Sequence, residues 1–292
     1  LLRRGGAFSI YREGMDRAAL NAAIDILEAA RRPLVIFPEG VITHHNDVLN
    51  ALMEGPALIA RNAAKKRAKQ IPAGQIVVHP VAIKYHFRGD MDASFHPVLD
   101  EIETRLSWRP QRHLDLVERI YKVGESLLCL KEMEYLGRPQ TGTIQERLRL
   151  LTDHLLVPLE TEWLDGRRES TVVGRVKQLR IAILPDLIAD EISEAERQRR
   201  WRQLADAYLA QQLSCYPHNY VRSNPTPHRL METVERFEED LTDKYRVHAP
   251  ITAAVQVGQA IPVTPQRDRG SKEDPLMSEV EHQLRTMIAN LQ

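Results

Sequence analysis

At 292 residues the chain is long enough for one large domain or two ordinary ones, each with a sizeable core. Its 40 basic and 40 acidic side chains cancel, so there is no global charge of the kind a nucleic-acid partner requires, and only local patches remain to attract anionic lipid or phosphate. Two cysteines without metal-ligand spacing, Cys129 and Cys215, point to ordinary thiols in a reducing compartment, and no apolar stretch reaches the length of a bilayer span.

The first 87 residues alternate strand and helix signals. Residues 8–11 are aromatic and branched and read as a short strand. Asp16 is placed to cap a helix in which Leu20, Ala23, Ile24 and Leu27 recur at helical spacing, and Arg31-Arg32-Pro33 closes it. Leu34-Val35-Ile36-Phe37 reads as a buried strand ending in a Pro38-Glu39-Gly40 turn, followed by a polar loop through His44, His45, Asn46 and Asp47. Gly55-Pro56 opens a second helix that ends in Lys65, Lys66, Arg67 and Lys69, cations that suit a helix C-terminus. Residues 76–87 form a third strand. This order predicts an α/β fold with a mostly parallel sheet and flanking helices.

From about residue 89 the pattern becomes helix after helix. Helices are predicted over 95–108, 113–136, 144–163, 171–188, 193–213 and 227–242, with breaks at Pro, Gly and Asp. No fixed repeat period is evident, which argues against a solenoid. A strand returns at 251–257, followed by Gly258-Gln259-Ala260-Ile261-Pro262, a polar linker and a last helix over 275–291. The economical division is residues 1–88 as an α/β core, 89–248 as a large all-helical insertion, and 249–292 as the last core strand and C-terminal helix. On this division, 251–257 pairs with the N-terminal strands.

Three segments taken in order carry a family resemblance: Gly5-Gly6-Ala7-Phe8-Ser9-Ile10-Tyr11-Arg12, Phe37-Pro38-Glu39-Gly40, and Val77-Val78-His79-Pro80-Val81-Ala82-Ile83. They resemble the second, third and fourth blocks of the phospholipid/glycerol acyltransferases, the lysophosphatidic-acid acyltransferase-like family. Residues 258–263 loosely resemble the Gly-x-Pro-Ile-like turn that finishes many such domains, with Ala260 where Pro is common. The family's first block, H-x-x-x-x-D, supplies the base that takes the acceptor's proton, with Asp orienting the imidazole. None of the 11 histidines here has Asp five positions on, so the resemblance implies that the catalytic pair lies upstream of Leu1 and that the chain is truncated before it.

The resemblance also implies roles for residues that are present. Arg12 pairs with the acceptor's phosphate, a task suited to a planar guanidinium; the alternative is a surface arginine paired with Glu13 or Asp16. Glu39 sits beside the acceptor, positioning Arg12 or the acceptor's hydroxyls, while Gly40 allows close backbone approach and Phe37 and Pro38 complete the substrate-binding turn. The alternative for Glu39 is a local cap. Val41, Ile42 and Thr43 depart from the Thr-basic pattern common after this block, which leaves the acceptor's identity open. Pro80 shapes the donor site, a role compatible with a simple bulge.

Other polar clusters read as structure. His44, His45 and Asp47 lack a third ligand at metal spacing, so a solvated loop is expected, with Asn46 and Asp47 near the mouth of the site. The basic end at residues 65–69 reads as a solvated helix terminus. The stretch 175–184 mixes basic and apolar residues as a membrane-facing helix does, although most such helices pack on neighbours. The resulting expectation is an O-acyltransferase that uses acyl-CoA or acyl carrier protein as co-substrate, with no metal and no tightly bound cofactor. Its partners are a glycerol-phosphate or lysophospholipid acceptor and the acyl donor, with peripheral membrane contact and no nucleic acid. The cytoplasm is the expected compartment, at or near the membrane surface. The alternative is a catalytically inactive lipid-binding or interaction module on the same scaffold. A third reading, another phosphate-handling enzyme, lacks a G-x-x-x-x-G-K loop to support it.

Overall fold

The computed structural model describes residues 6–11, 14, 16–43, 45–189, 191–216, 219–267, 270 and 274–291. Among these the chain is mostly helical, and the expected mostly parallel α/β sheet is not what forms. The strands make two small antiparallel pairs, β1 (Val77–Val78) with β4 (Ile261–Pro262) and β2 (Val81–Phe87) with β3 (Ile251–Val257). Residues 8–11 and 34–37 are extended but join no ladder. The run 34–37 is bracketed by Pro33 and Pro38, which lack N–H donors, and Val35 and Phe37 are 75% and 79% exposed. Local sequence gave these segments their extended backbone without supplying a hydrogen-bonding neighbour.

The antiparallel direction follows from the connectivity. Phe87, the last residue of β2, pairs with Ile251, the first of β3, so the chain returns at the same end of the ladder from which it left. A return at that end forces antiparallel pairing, whereas a parallel strand needs a crossover to the opposite end. The chain divides into two compact units, residues 1–88 with 249–292, and residues 89–248.

In the first unit, α1 (Arg17–Ala29) and α2 (Gly55–Arg67) pack together, and α10 (Pro275–Asn290) packs on β2. Their shared core contains Ile24, Ala57, Ala60, Ala64, Ala82, Leu284 and Met287. Asp16 caps α1, accepting the Ala19 N–H at 2.9 Å and the Tyr11 N–H at 2.9 Å. These backbone donors hold its carboxyl below the ordinary range, Ala19 contributing most. Lys66 bridges from α2 to Asp25 and Glu28 of α1, so the basic helix end also joins two helices. A deeper tie is made by Arg61 of α2. Its Nε and Nη2 grip both oxygens of Asp274 at 3.1 and 2.6 Å, and its Nη1 donates to Thr264 O, Thr264 Oγ1 and Gln266 O.

The two ladders form one bent ribbon. Val78 faces Ile261 and Val81 faces Val257, so His79 and Pro80 oppose three residues, 258–260, in a bulge. Strand alternation gives the β2–β3 pair two different faces. On one, Ala82 is buried and Lys84 donates to the Ile288 and Leu291 carbonyls at the end of α10. The other is an uncovered apolar face of Val81, Ile83, Tyr85, Ile251, Val255 and Val257, each 41–62% exposed.

The second unit comprises α3 (Met91–Arg105), α4 (Leu116–Leu136), α5 (Ile144–Leu164), α6 (Val172–Ala189), α7 (Glu194–Ser214), the short α8 (Tyr220–Ser223) and α9 (Pro227–Thr242). Helices α5, α6 and α7 pack mutually around Leu151, Leu156, Leu179, Ile183, Ala207 and Ala210, while α9 packs on α3 and α4. The apolar side of the stretch 175–184 is consumed by this core: Val176, Leu179 and Ile183 are buried.

Helices α3 to α6 are joined by one device used three times. Arg119, Arg147 and Arg175 stand 28 residues apart, each in the early turns of its helix. Each sends Nε and Nη2 to both carboxylate oxygens of a glutamate late in the preceding helix, Glu103, Glu132 and Glu160 respectively. The third nitrogen, Nη1, meets His96 Nδ1, Glu125 and Asp153 at corresponding places. In the first two hairpins the connecting Arg-Pro-Gln sequence recurs, and the Gln111 and Gln140 N–H groups donate to the same glutamates at 2.7 and 2.9 Å. Arg168 takes the corresponding place beside Glu160.

Candidate functional site

The Phe37-Pro38-Glu39-Gly40 turn opens a loop whose ends are joined. The Met53 N–H donates to Pro38 O at 2.8 Å, closing residues 38–53 into a compact Ω-type loop. Gly40 sits at this neck with φ of +68°, where a Cβ would run into the Met53 thioether. The glycine is required for its left-handed backbone, and a side chain there would also have to push the exposed Met53 side chain aside.

Inside the neck, Glu39 is fixed by a residue eleven positions later. The Asn50 N–H and Nδ2–H both donate to Glu39 Oε2, at 3.0 and 2.7 Å, and Nδ2 also reaches Thr43 Oγ1 at 3.3 Å. At the loop's tip, Asn46 clips to the free edge of β2. Its Nδ2 donates to Tyr85 O, and its Oδ1 accepts the Tyr85 N–H, both at 2.6 Å. The amide thus supplies the pair of hydrogen bonds that a neighbouring strand would make.

The residues singled out in the sequence fall in different places. Pro38, Glu39 and Gly40 lie together at the half-buried neck, and Phe37 projects outward just before it. Pro80 belongs to the bulge, where its carbonyl accepts the Gly258 N–H at 2.7 Å and the His79 ring faces Gly258 O at 3.3 Å. Arg12 and His44 lie outside the described residues. No group of three or more His, Cys, Asp or Glu suited to a metal ion occurs among the described residues.

Sequence reasoning missed Asn50, Met53 and the neck itself. The available signal was weak: an Asn in a polar connection is common and does not name its partner. Chemically, the loop presents one fixed carboxylate beside a glycine backbone on a frame pinned at neck and tip. Such a group accepts hydrogen bonds from hydroxyl or ammonium donors. No protein-family model, no curated protein and no solved structure matches the chain.

Proposed function

We propose that the chain is the acceptor-binding part of a glycerolipid O-acyltransferase, which moves a fatty-acyl group from acyl-CoA or acyl carrier protein to a glycerol-phosphate or lysophospholipid hydroxyl. The reading rests on the three sequence blocks. The observation that supports it best is the closed loop in which Glu39 and Gly40 form a rigid neck. Surface glutamates in ordinary turns sample many rotamers, whereas this one is held by its own loop, as a residue that must meet a substrate should be. Arg12 is assigned to the acceptor's phosphate, Phe37 and Pro38 to the wall of the acceptor site, and Pro80 to shaping the donor side.

No metal or tightly held cofactor enters this chemistry, which needs a base, a positioned thioester and oxyanion stabilisation. With no H-x-x-x-x-D pair in these residues, binding of the acceptor is the activity expected of them. No described helix is long and apolar enough to cross a membrane. The reading has the protein work in the cytoplasm and meet lipid at the membrane surface.

Titration with sn-glycerol 3-phosphate, followed by NMR, tests the reading. Saturable shifts should appear in residues 38–53, and Glu39→Ala should weaken binding about tenfold or more, as expected for losing a hydrogen bond to a charged group. Wild-type protein that shows no shifts at these residues would remove the acyltransferase assignment. A second reading, an inactive lipid-binding or interaction module, is favoured by the uncovered apolar face of β2–β3. It predicts that lysolipid, but not glycerol 3-phosphate, perturbs the chain.

A further inference from the structure

We propose that Asn50 is a positioning residue that turns Glu39 into a hydroxyl reader, making the site selective for an acceptor with a free O–H. The inference rests on the acyltransferase reading above and says how that site chooses its substrate.

The argument starts from the two oxygens of one carboxylate. Oε2 receives two hydrogen bonds, both from Asn50, one from backbone and one from side chain. Oε1 receives none from the described residues. Two donors on one residue hold Oε2 in place, because the backbone donor cannot move without the loop. The loop is closed at its neck by Met53 N–H on Pro38 O, with Gly40 in the left-handed region. The second hydrogen of Asn50 Nδ2 is engaged by Thr43 Oγ1, which sets the amide's own orientation.

The direction of selectivity follows from charge. An ionised carboxylate is an acceptor only, so Oε1 welcomes an O–H and repels a phosphate oxygen. The acceptor's phosphate is therefore held elsewhere, and its hydroxyl is the group that meets Glu39. A site built around a hydroxyl discriminates strongly against the analogue lacking it, since the carboxylate is left without its partner. Thr43 takes on a role here as well. It stands where the family's pattern departs, and it anchors the residue that orients Glu39.

The test compares sn-glycerol 3-phosphate with propyl phosphate, which carries the phosphate but neither hydroxyl. Each is titrated into wild type, Asn50→Ala and Asn50→Ser, with thermal melting as the check on folding. Wild type should prefer glycerol 3-phosphate by about tenfold or more. Asn50→Ala should bind propyl phosphate as wild type does and lose most of the preference. Asn50→Ser, which can still donate to Oε2, should retain part of it.

Equal weakening toward both ligands would mean that Asn50 only supports the loop, and an unchanged preference would mean that it does nothing for recognition; either result overturns the inference and leaves the acyltransferase reading standing. Wild type that binds neither phosphate would overturn both.

Discussion

Arg61→Ala should destabilise the first unit by about 3–5 kcal/mol, the range seen when one partner of a buried ion pair is removed. Arg61 and Asp274 are 9% and 4% exposed at their side chains, so truncation leaves a carboxylate with little access to water. The loss reaches further than the pair. Arg61 Nη1 also satisfies two carbonyls and a hydroxyl of residues 264–266, and Asp274 accepts the Leu276 N–H at the start of α10. Replacing both partners with apolar residues should recover only part of the loss, because those carbonyls would still lack donors. Amide hydrogen exchange in α2 and α10 reads the effect locally, apart from the second unit. A cost below about 1 kcal/mol would show that water reaches Asp274 and that the pair is merely a surface bridge.

Arg147→Ala should cost the helical unit a similar amount, about 3–5 kcal/mol. Glu132 has no exposed side-chain surface, and Arg147 is 4% exposed. Here a double replacement, Glu132→Leu with Arg147→Met, should restore part of the stability, since both buried charges go together while the Gln140 N–H loses its acceptor. The pH dependence gives an independent reading. Burial pushes the Glu132 carboxyl up, but Arg147 and the Gln140 N–H outweigh it and hold it below its ordinary value. The stability from this group is therefore present above the ordinary carboxylate range and is lost as pH falls through its lowered value. Without Arg147, burial dominates and a proton on Glu132 becomes favourable. The deficit of Arg147→Ala relative to wild type should then shrink as pH is lowered toward 5 in urea unfolding. A constant deficit would mean that Glu132 gains another partner.

Helices were the most legible part of this chain because their signals are local. Thr143, three residues before Glu146, makes a capping box, and Gly137 ends α4 in the left-handed conformation. Helix α9 occupies the residues read from the sequence, and β3 likewise. Strand pairing was legible in part: 251–257 pairs with the N-terminal strand 81–87 as expected, while extended backbone at residues 34–37 says nothing about a partner elsewhere in the chain. The run Ile76 to Phe87 illustrates the limit: its β character was plain, while the bulge at His79-Pro80 depended on three residues far downstream.

The helical repeat was hidden for a different reason. Its signature is one Arg and one Glu per unit, the glutamates spaced 29 and then 28 residues apart, so a fixed period fails. The positions between them drift freely, as Leu130 and Pro158 show at corresponding places. At the candidate site, Glu39 and Gly40 stood out because an apolar run ends there in a Pro-Glu-Gly turn, read from the sequence as resembling an acyltransferase block. Asn50 did not, since its role exists only once the loop closes.

The pairing of Phe87 with Ile251 has a consequence for how this chain could have been assembled and altered. The two junctions of the helical unit lie one strand spacing apart, about 5 Å. To the ladder, residues 89–248 are topologically a hairpin loop. The entropy of closing a flexible loop grows only logarithmically, about 0.6 kcal/mol for each doubling in length, and a loop that folds on its own core weakens even that dependence. The ladder is thus nearly indifferent to what it carries there. A change of length within the insertion should therefore leave the register of β2 and β3 in place.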